Sequence, residues 1–542
     1  MAPAAKPFRT HAHGGLPVKP ITALPLAAAA FSAFSGCGRF APLPAPADAP
    51  VVGHAASVIL PGAPRIDDDE DTGTSLPARY QDIKAPSLRW TPPRLSSFSD
   101  TLTPGVVVFW VPDTSLPLAS IQLVWPEGRL ALGPKDDAAA SLLGEVLREG
   151  GAGPFTSAKL DDTLEFLAAH ASVSLGLVRT TASAGGLSRD LPFLITVLGD
   201  MLTEPRLDTA RISTAIQDRV QDIEHEFDTP PQTMDLAWDR ISYGSNAWTR
   251  ITDSTDVQRL RADDFRRVLA GRFSPSRVWI SVAGRFDKAE TRKQIAALLE
   301  RLRGGPSAKP SMARLDSLAP VAGLPPRGVW IYDIPATQTQ VRLGARFPKR
   351  DNPDYYPLML ASEVLGQGGF GSRLVDRIRS DEGLAYHVSS FVGSDYDRPT
   401  MLGVGLQTKT QSTGRAIQLA FQEIARLRDS GFRAGELSKA RTGLAASVPS
   451  LFDSPEATAD LVLESATWGR NDNHFGRYLR ALDTIPDSTV LRVYRKWFVP
   501  DSLRVVICGP ASTLSKPFAD GSPALSTYGP VTVWNGDSLR GR

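Results

Sequence analysis

Leu360-Ala361-Ser362-Glu363-Val364-Leu365-Gly366-Gln367-Gly368-Gly369 repeats an earlier stretch of the same chain, Leu142-Leu143-Gly144-Glu145-Val146-Leu147-Arg148-Glu149-Gly150-Gly151. The two lie 218 residues apart, and a second pair of matching segments lies 225 apart. In that second pair Phe273-x-Pro275 leads to a strand-like run ending at Gly284, and Phe498-x-Pro500 leads to one ending at Gly509. The Phe-to-Gly distance is 11 in both. Offsets so nearly equal read as a duplication with small insertions.

Within the first copy, Val106 to Val111 and Leu118 to Trp125 read as strands. Helical periodicity follows over about 136–149, 157–169, 191–203, 209–227 and 263–269, with a strand pair over 171–184 between the second and third. Helices in runs, not strictly alternating with strands, point to α+β architecture. The expectation is two homologous domains, each a mostly antiparallel sheet layered with helices. Their bounds read as 99–302 and 328–515, joined by a Pro/Gly/Ala/Ser-rich linker over 303–327 and followed by a tail over 516–542.

The totals bound the rest. The 542 residues are too many for one core. A net charge of +2 gives no electrostatic case for nucleic acid. Of two cysteines, Cys508 sits in the apolar run Val505-Val506-Ile507-Cys508 and reads as a buried small hydrophobe. Cys37 follows an apolar stretch, Ile21 to Phe34, preceded by Lys6, Arg9 and Lys19. That order reads as a secretory signal over 1–37, similar to a lipoprotein signal with cleavage before Cys37 and acylation of its sulfur. An ordinary signal cut elsewhere is the alternative. Residues 38–98 read as a tether, alternating Ala and Pro and then acidic at Asp67 to Asp71. Periplasmic, membrane-anchored placement in a Gram-negative-type bacterium is the corresponding expectation.

The repeat leads to a glycine-rich turn, Gly368-Gly369-Phe370-Gly371-Ser372-Arg373-Leu374, then a polar helix, then Gly383-Leu384-Ala385-Tyr386. Arg379 and Tyr386, seven residues apart, can both donate to an oxygen carrying negative charge. A turn with a salt-bridged Arg and a packed Tyr reads equally from composition. A duplicated α+β unit with this loop and Gly-Leu-Ala-Tyr resembles the pitrilysin/insulinase family of zinc peptidases, over residues 99 to 515. The resemblance implies a peptide groove at Gly368, Gly369, Phe370, Gly371 and Ser372. It also implies that Arg379 and Tyr386 hold the scissile carbonyl and its developing oxyanion.

The same resemblance implies zinc on an inverted His-x-x-Glu-His motif in the first copy. Here those places read Ser141, Gly144 and Glu145, and Gln221 stands 76 residues on, where a glutamate ligand is implied. No metal is expected in this chain. Glu224-His225-Glu226 is a tight cluster of potential ligands, and on a helix its members point different ways. His170 and His387 read as surface or core histidines.

In the two-subunit bacterial branch of the family, one subunit carries zinc and the other the Arg/Tyr pair. This chain resembles the second kind. Its expected partners are a zinc-bearing subunit and peptide substrates, and it is not expected to be active alone. A catalytically inactive peptide-binding or scaffold protein is the alternative.

Overall fold

The computed structural model describes residues 90–303 and 323–540, organised by two six-stranded sheets. The first holds β1 (Ser99–Thr103), β2 (Val106–Pro112), β3 (Leu118–Trp125), β4 (His170–Leu175), β5 (Thr180–Leu187) and β6 (Val278–Gly284). The second holds β7 (Val329–Asp333), β8 (Gln338–Phe347), β9 (Ala385–Val392), β10 (Thr400–Lys409), β11 (Arg504–Gly509) and β12 (Val531–Trp534). Their orders are β1-β2-β6-β3-β5-β4 and β12-β7-β11-β8-β10-β9. Each strand of the first sheet after β1 takes the place of one in the second, so the repeat seen in sequence is a repeat of topology. Only the far edge differs: β1 enters antiparallel from the N-terminal side, β12 parallel from the C-terminal side.

Both sheets are mixed. The β2–β6 and β7–β11 ladders are parallel, as is β7–β12, and the others are antiparallel. The central strands are buried on both faces, which is why they read as unbroken apolar runs. In β2, Val106, Val108 and Trp110 face one large core, while Phe109 and Val111 face the opposite side. In β11, Val505 and Ile507 face the second large core, while Val506 and Cys508 face away from it. Burial pushes the Cys508 thiol up to about 12, as suits a packing residue.

The opposite faces are covered reciprocally. The Pro230–Tyr243 helix of the first half lays Met234, Ala237, Trp238 and Ile241 on the second sheet, against Met401, Val506 and Cys508. The Pro455–Thr467 helix of the second half lays Ala459, Val462 and Leu463 on the first sheet, against Phe109, Val111 and Val124. The sequence reading had no element at either place.

Three boundaries differ from the sequence reading. Leu95 is buried and Trp90 and Phe98 pack beside it, so ordered packing starts by residue 90, inside the segment read as tether. Residues 516–540 are not a tail: they supply β12, the Gly536–Arg540 helix and fully buried Leu539. Predominantly hydrophilic residues at 536–538 hid that helix from a periodicity reading. The Thr209–Glu224 helix stops short of Phe227. Cys37, the signal segment and most of the linker lie outside the described residues.

Candidate functional site

The glycine-rich turn joins two helical segments of wide, π-type pitch, Glu363–Gln367 and Val375–Asp381. Such turns are rare and recur at functional places. The Gly368 amide donates to the Glu363 carbonyl at 3.0 Å, closing the first. A side chain at Gly368 would meet that carbonyl oxygen at 2.7 Å, so this glycine serves the turn itself. Gly369 and Gly371 have φ of 67° and 81°, which side-chain-bearing residues adopt at a cost. The Ser372 hydroxyl donates to the Gly369 carbonyl at 2.6 Å, and the Gly371 amide to Asp376 at 3.2 Å.

Arg373 fastens the turn to the body. Buried at 4% exposure, it donates through Nε and Nη2 to both oxygens of Glu436, at 2.9 and 2.7 Å, and from Nη2 to the Gly431 carbonyl at 2.8 Å. Paired geometry of this kind fixes direction as well as distance. The sequence reading missed it, because nothing local links residues 63 apart.

The segment carrying Tyr386 is also fixed. At Gly383, with φ of 62°, the chain turns, and the Leu384 amide returns to the Ile378 carbonyl at 2.9 Å. The Thr408 hydroxyl holds the Leu384 carbonyl at 2.7 Å. Along the β9–β10 ladder Ala385 pairs with Thr408 and His387 with Gln407, so Tyr386 is an extra residue in a bulge. Bulges re-aim side chains. Here one leaves Tyr386 79% exposed next to exposed His387, on the strand at the sheet's edge.

Arg379 and Tyr386 do meet. The Arg379 guanidinium lies 5.2 Å from the centre of the Tyr386 ring and 4.8 Å from that of Phe370, itself 68% exposed. Arg379 therefore rests on two aromatic faces and pairs with no carboxylate among the described residues, contrary to the salt-bridged alternative. Phe370, Arg379 and Tyr386 form one surface group, a half-buried cation against two exposed rings. Lys439 Nζ approaches the Phe370 carbonyl at 3.5 Å.

The first half offers no counterpart. Ser141, Gly144 and Glu145 lie on the Asp137–Glu149 helix and Gln221 on the Thr209–Glu224 helix. The Ser141 hydroxyl turns back onto the Ala138 carbonyl at 2.7 Å. A Cβ at Gly144 would stand 2.0 Å from the Val173 carbonyl oxygen of β4, so backbone occupies the space a carboxylate base would need. Zinc does not fit this residue set, and among the described residues no three His, Cys, Asp or Glu gather to hold a metal. His225 bonds Asp228 at 2.6 Å and Glu226 lies 3.8 Å from Arg540, so that cluster is engaged elsewhere.

Gly144→Ala should cost roughly 2 kcal/mol through forced backbone movement, against a helix-propensity gain of about 1 kcal/mol. Urea unfolding measures it, and a more stable variant would show that helix and strand slide apart freely. Glu145 has a different environment. Loss of hydration, then Glu149, Asp218 and Asp222, push its carboxyl up to about 7, against the pull of Arg219. A raised carboxyl stabilises the fold below its unfolded value, and that contribution is lost as pH climbs through about 7. Glu145→Gln should therefore melt above the wild type in mildly alkaline buffer, with the gap closing in acid. A gap that stays constant with pH would exclude this account.

Comparison with known proteins agrees with the geometry. Residues 259–444 match a family model described as "Peptidase M16 inactive domain". The chain is 26% identical over 262 residues to an uncharacterized zinc protease of Streptomyces coelicolor, covering 47% of this chain and 55% of that protein. It is 28% identical over 196 residues to a non-peptidase homolog of Helicobacter pylori, covering 36% and 43%. The chain thus spans about half the length of these relatives. A peptidase M16 inactive domain from Pseudomonas fluorescens superposes with a TM-score of 0.66 at 19% identity, over 76% of this chain and 97% of that one. Residues 259–444 therefore match a peptidase M16 inactive domain, and the duplicated sheets and the glycine-rich turn with its Arg/Tyr pair are similar to those of the pitrilysin/insulinase family.

Proposed function

We propose that this chain is the non-zinc subunit of a secreted, heteromeric insulinase-family metallopeptidase. It supplies a peptide-binding groove and the Arg379/Tyr386 pair, and a partner subunit supplies the zinc. The observation that carries the reading is an asymmetry within one molecule. The second half holds exposed Phe370 and Tyr386 against half-buried Arg379, on a bulge and a turn that hydrogen bonds from Arg373 and Thr408 fix in place. The first half has backbone where a general base would stand.

In this reading the N–H groups of Arg379 and the hydroxyl of Tyr386 donate to the carbonyl oxygen of a peptide laid across β9. Phe370 keeps the guanidinium from folding away. Acylation at Cys37 holds the subunit at a periplasmic membrane surface, with residues from 38 onward as its tether. One acyl chain anchors only weakly, so a second signal or chain completes the attachment.

The test uses the purified chain and a fluorescently labelled unfolded peptide. Saturable binding that weakens in Arg379→Ala, with no cleavage of the peptide by the chain alone, is the expected result. Cleavage accompanied by one tightly held zinc per chain would overturn the proposal.

A further inference from the structure

Beside Tyr386 lies a cleft of about 310 Å³, between the start of β9, the start of β8 and the end of β10. It lies at the bulge that puts Tyr386 out of register, and Gly383 in its lining adds no side chain. Its polar lining residues are Gln338, Gln407, Thr408 and Lys409, with Tyr386 beside them. Gln338 and Lys409 face each other across the β8–β10 ladder. Gln407 Nε2 donates to Gln338 Oε1 at 2.6 Å, which uses the Gln338 acceptor and leaves its N–H groups unengaged. Thr408 is committed to the Leu384 carbonyl. Lys409 is exposed and pairs with no carboxylate among the described residues, and no acidic residue lines the cleft. Arg379, on the Tyr386 ring, adds a second cation without a carboxylate partner.

Among the described residues Lys409 is therefore the one charged residue in the cleft lining, and it stands beside unengaged N–H groups of Gln338. We propose that this cleft is a carboxylate-selective subsite of the peptide groove, with Lys409 as its specificity-determining residue. The inference rests on the peptide-binding reading above. The carboxylate is an Asp or Glu side chain, or the terminus of the peptide itself. A cleft of this volume takes one such group, at the lower end of the range for ligand sites. Charge-assisted hydrogen bonds from Lys409 Nζ and Gln338 Nε2 would hold it.

The experiment measures binding of short labelled peptides to the full chain by fluorescence anisotropy. End-capped peptides carry a central Glu, Gln or Lys, and a fourth carries Gln with a free C-terminal carboxylate. The Glu peptide, the free-terminus peptide or both should bind about fivefold tighter than capped Gln at low salt, with the advantage shrinking as salt rises. Which of the two gains identifies the source of the carboxylate. Lys409→Met should abolish the advantage and Lys409→Glu should transfer it to the Lys peptide. Equal binding of all four peptides, or a preference that persists in Lys409→Met, overturns the inference and leaves the groove intact. No binding of any peptide overturns both.

Discussion

Arg379→Ala, assembled with a wild-type zinc-bearing partner, should lose roughly 10²–10³ in kcat, or about 3–4 kcal/mol of transition-state stabilisation. The neighbours of Arg379 are the Phe370 and Tyr386 rings, and it pairs with no carboxylate among the described residues. Removing it strands no buried charge, so the variant should fold and associate normally. The loss then belongs to chemistry. Tyr386→Phe should lose less, because it removes one hydroxyl and keeps the ring against the guanidinium. Phe370→Ala should fall between them, acting through the freedom it gives Arg379. A fall in kcat and kcat/KM together would mark a contact made in the transition state, and a rise in KM alone would mark ground-state binding. Full activity in both Arg379→Ala and Tyr386→Phe complexes would leave the subunit a scaffold.

Arg373→Ala should be strongly destabilising, at about 3–5 kcal/mol. It would leave the Gly431 carbonyl without its donor and the largely buried Glu436 carboxylate with the Arg433 amide alone. Arg373→Lys should recover only part, since an ammonium cannot reproduce the two-pronged contact. Burial works to raise the Glu436 carboxyl, but hydrogen bonds from Arg373 and the Arg433 amide outweigh it and hold it below the ordinary range. A carboxyl depressed on folding gives stability that is present above its unfolded value of 4.5 and lost as pH falls through the folded one. The wild type should therefore lose stability in acid where Arg373→Ala has little left to lose. Urea midpoints across that range would show the two curves converging. Parallel curves would mean that the pair contributes nothing.

Much of this was legible in the chain. The repeat between 142–151 and 360–369, and the matching Phe-to-Gly intervals, carried the duplication, because both record backbone demands. Gly144 is the instructive case. In sequence it read as a missing base; in the fold it is required, since β4 passes too close for any side chain. What could not be read is non-local. No periodicity reveals that Arg373 reaches Glu436, or that the Arg379 guanidinium settles on aromatic faces. The bulge at Tyr386 is equally silent, because it appears only in the register against Gln407 and Thr408. The helices at 230–243 and 455–467 escaped because each packs on the sheet of the other half.

That exchange of helices has a mechanical consequence. A hinge between the halves would have to strip Trp238 and Ile241 from one sheet and Val462 and Leu463 from the other in the same movement. Burial of each such side chain is worth about 1.5–3 kcal/mol. Thermal motion does not supply that at one stroke, so the two halves behave as a single rigid jaw. In the proposed complex, the opening that admits a peptide therefore lies on the outer side of Tyr386, between this chain and its partner.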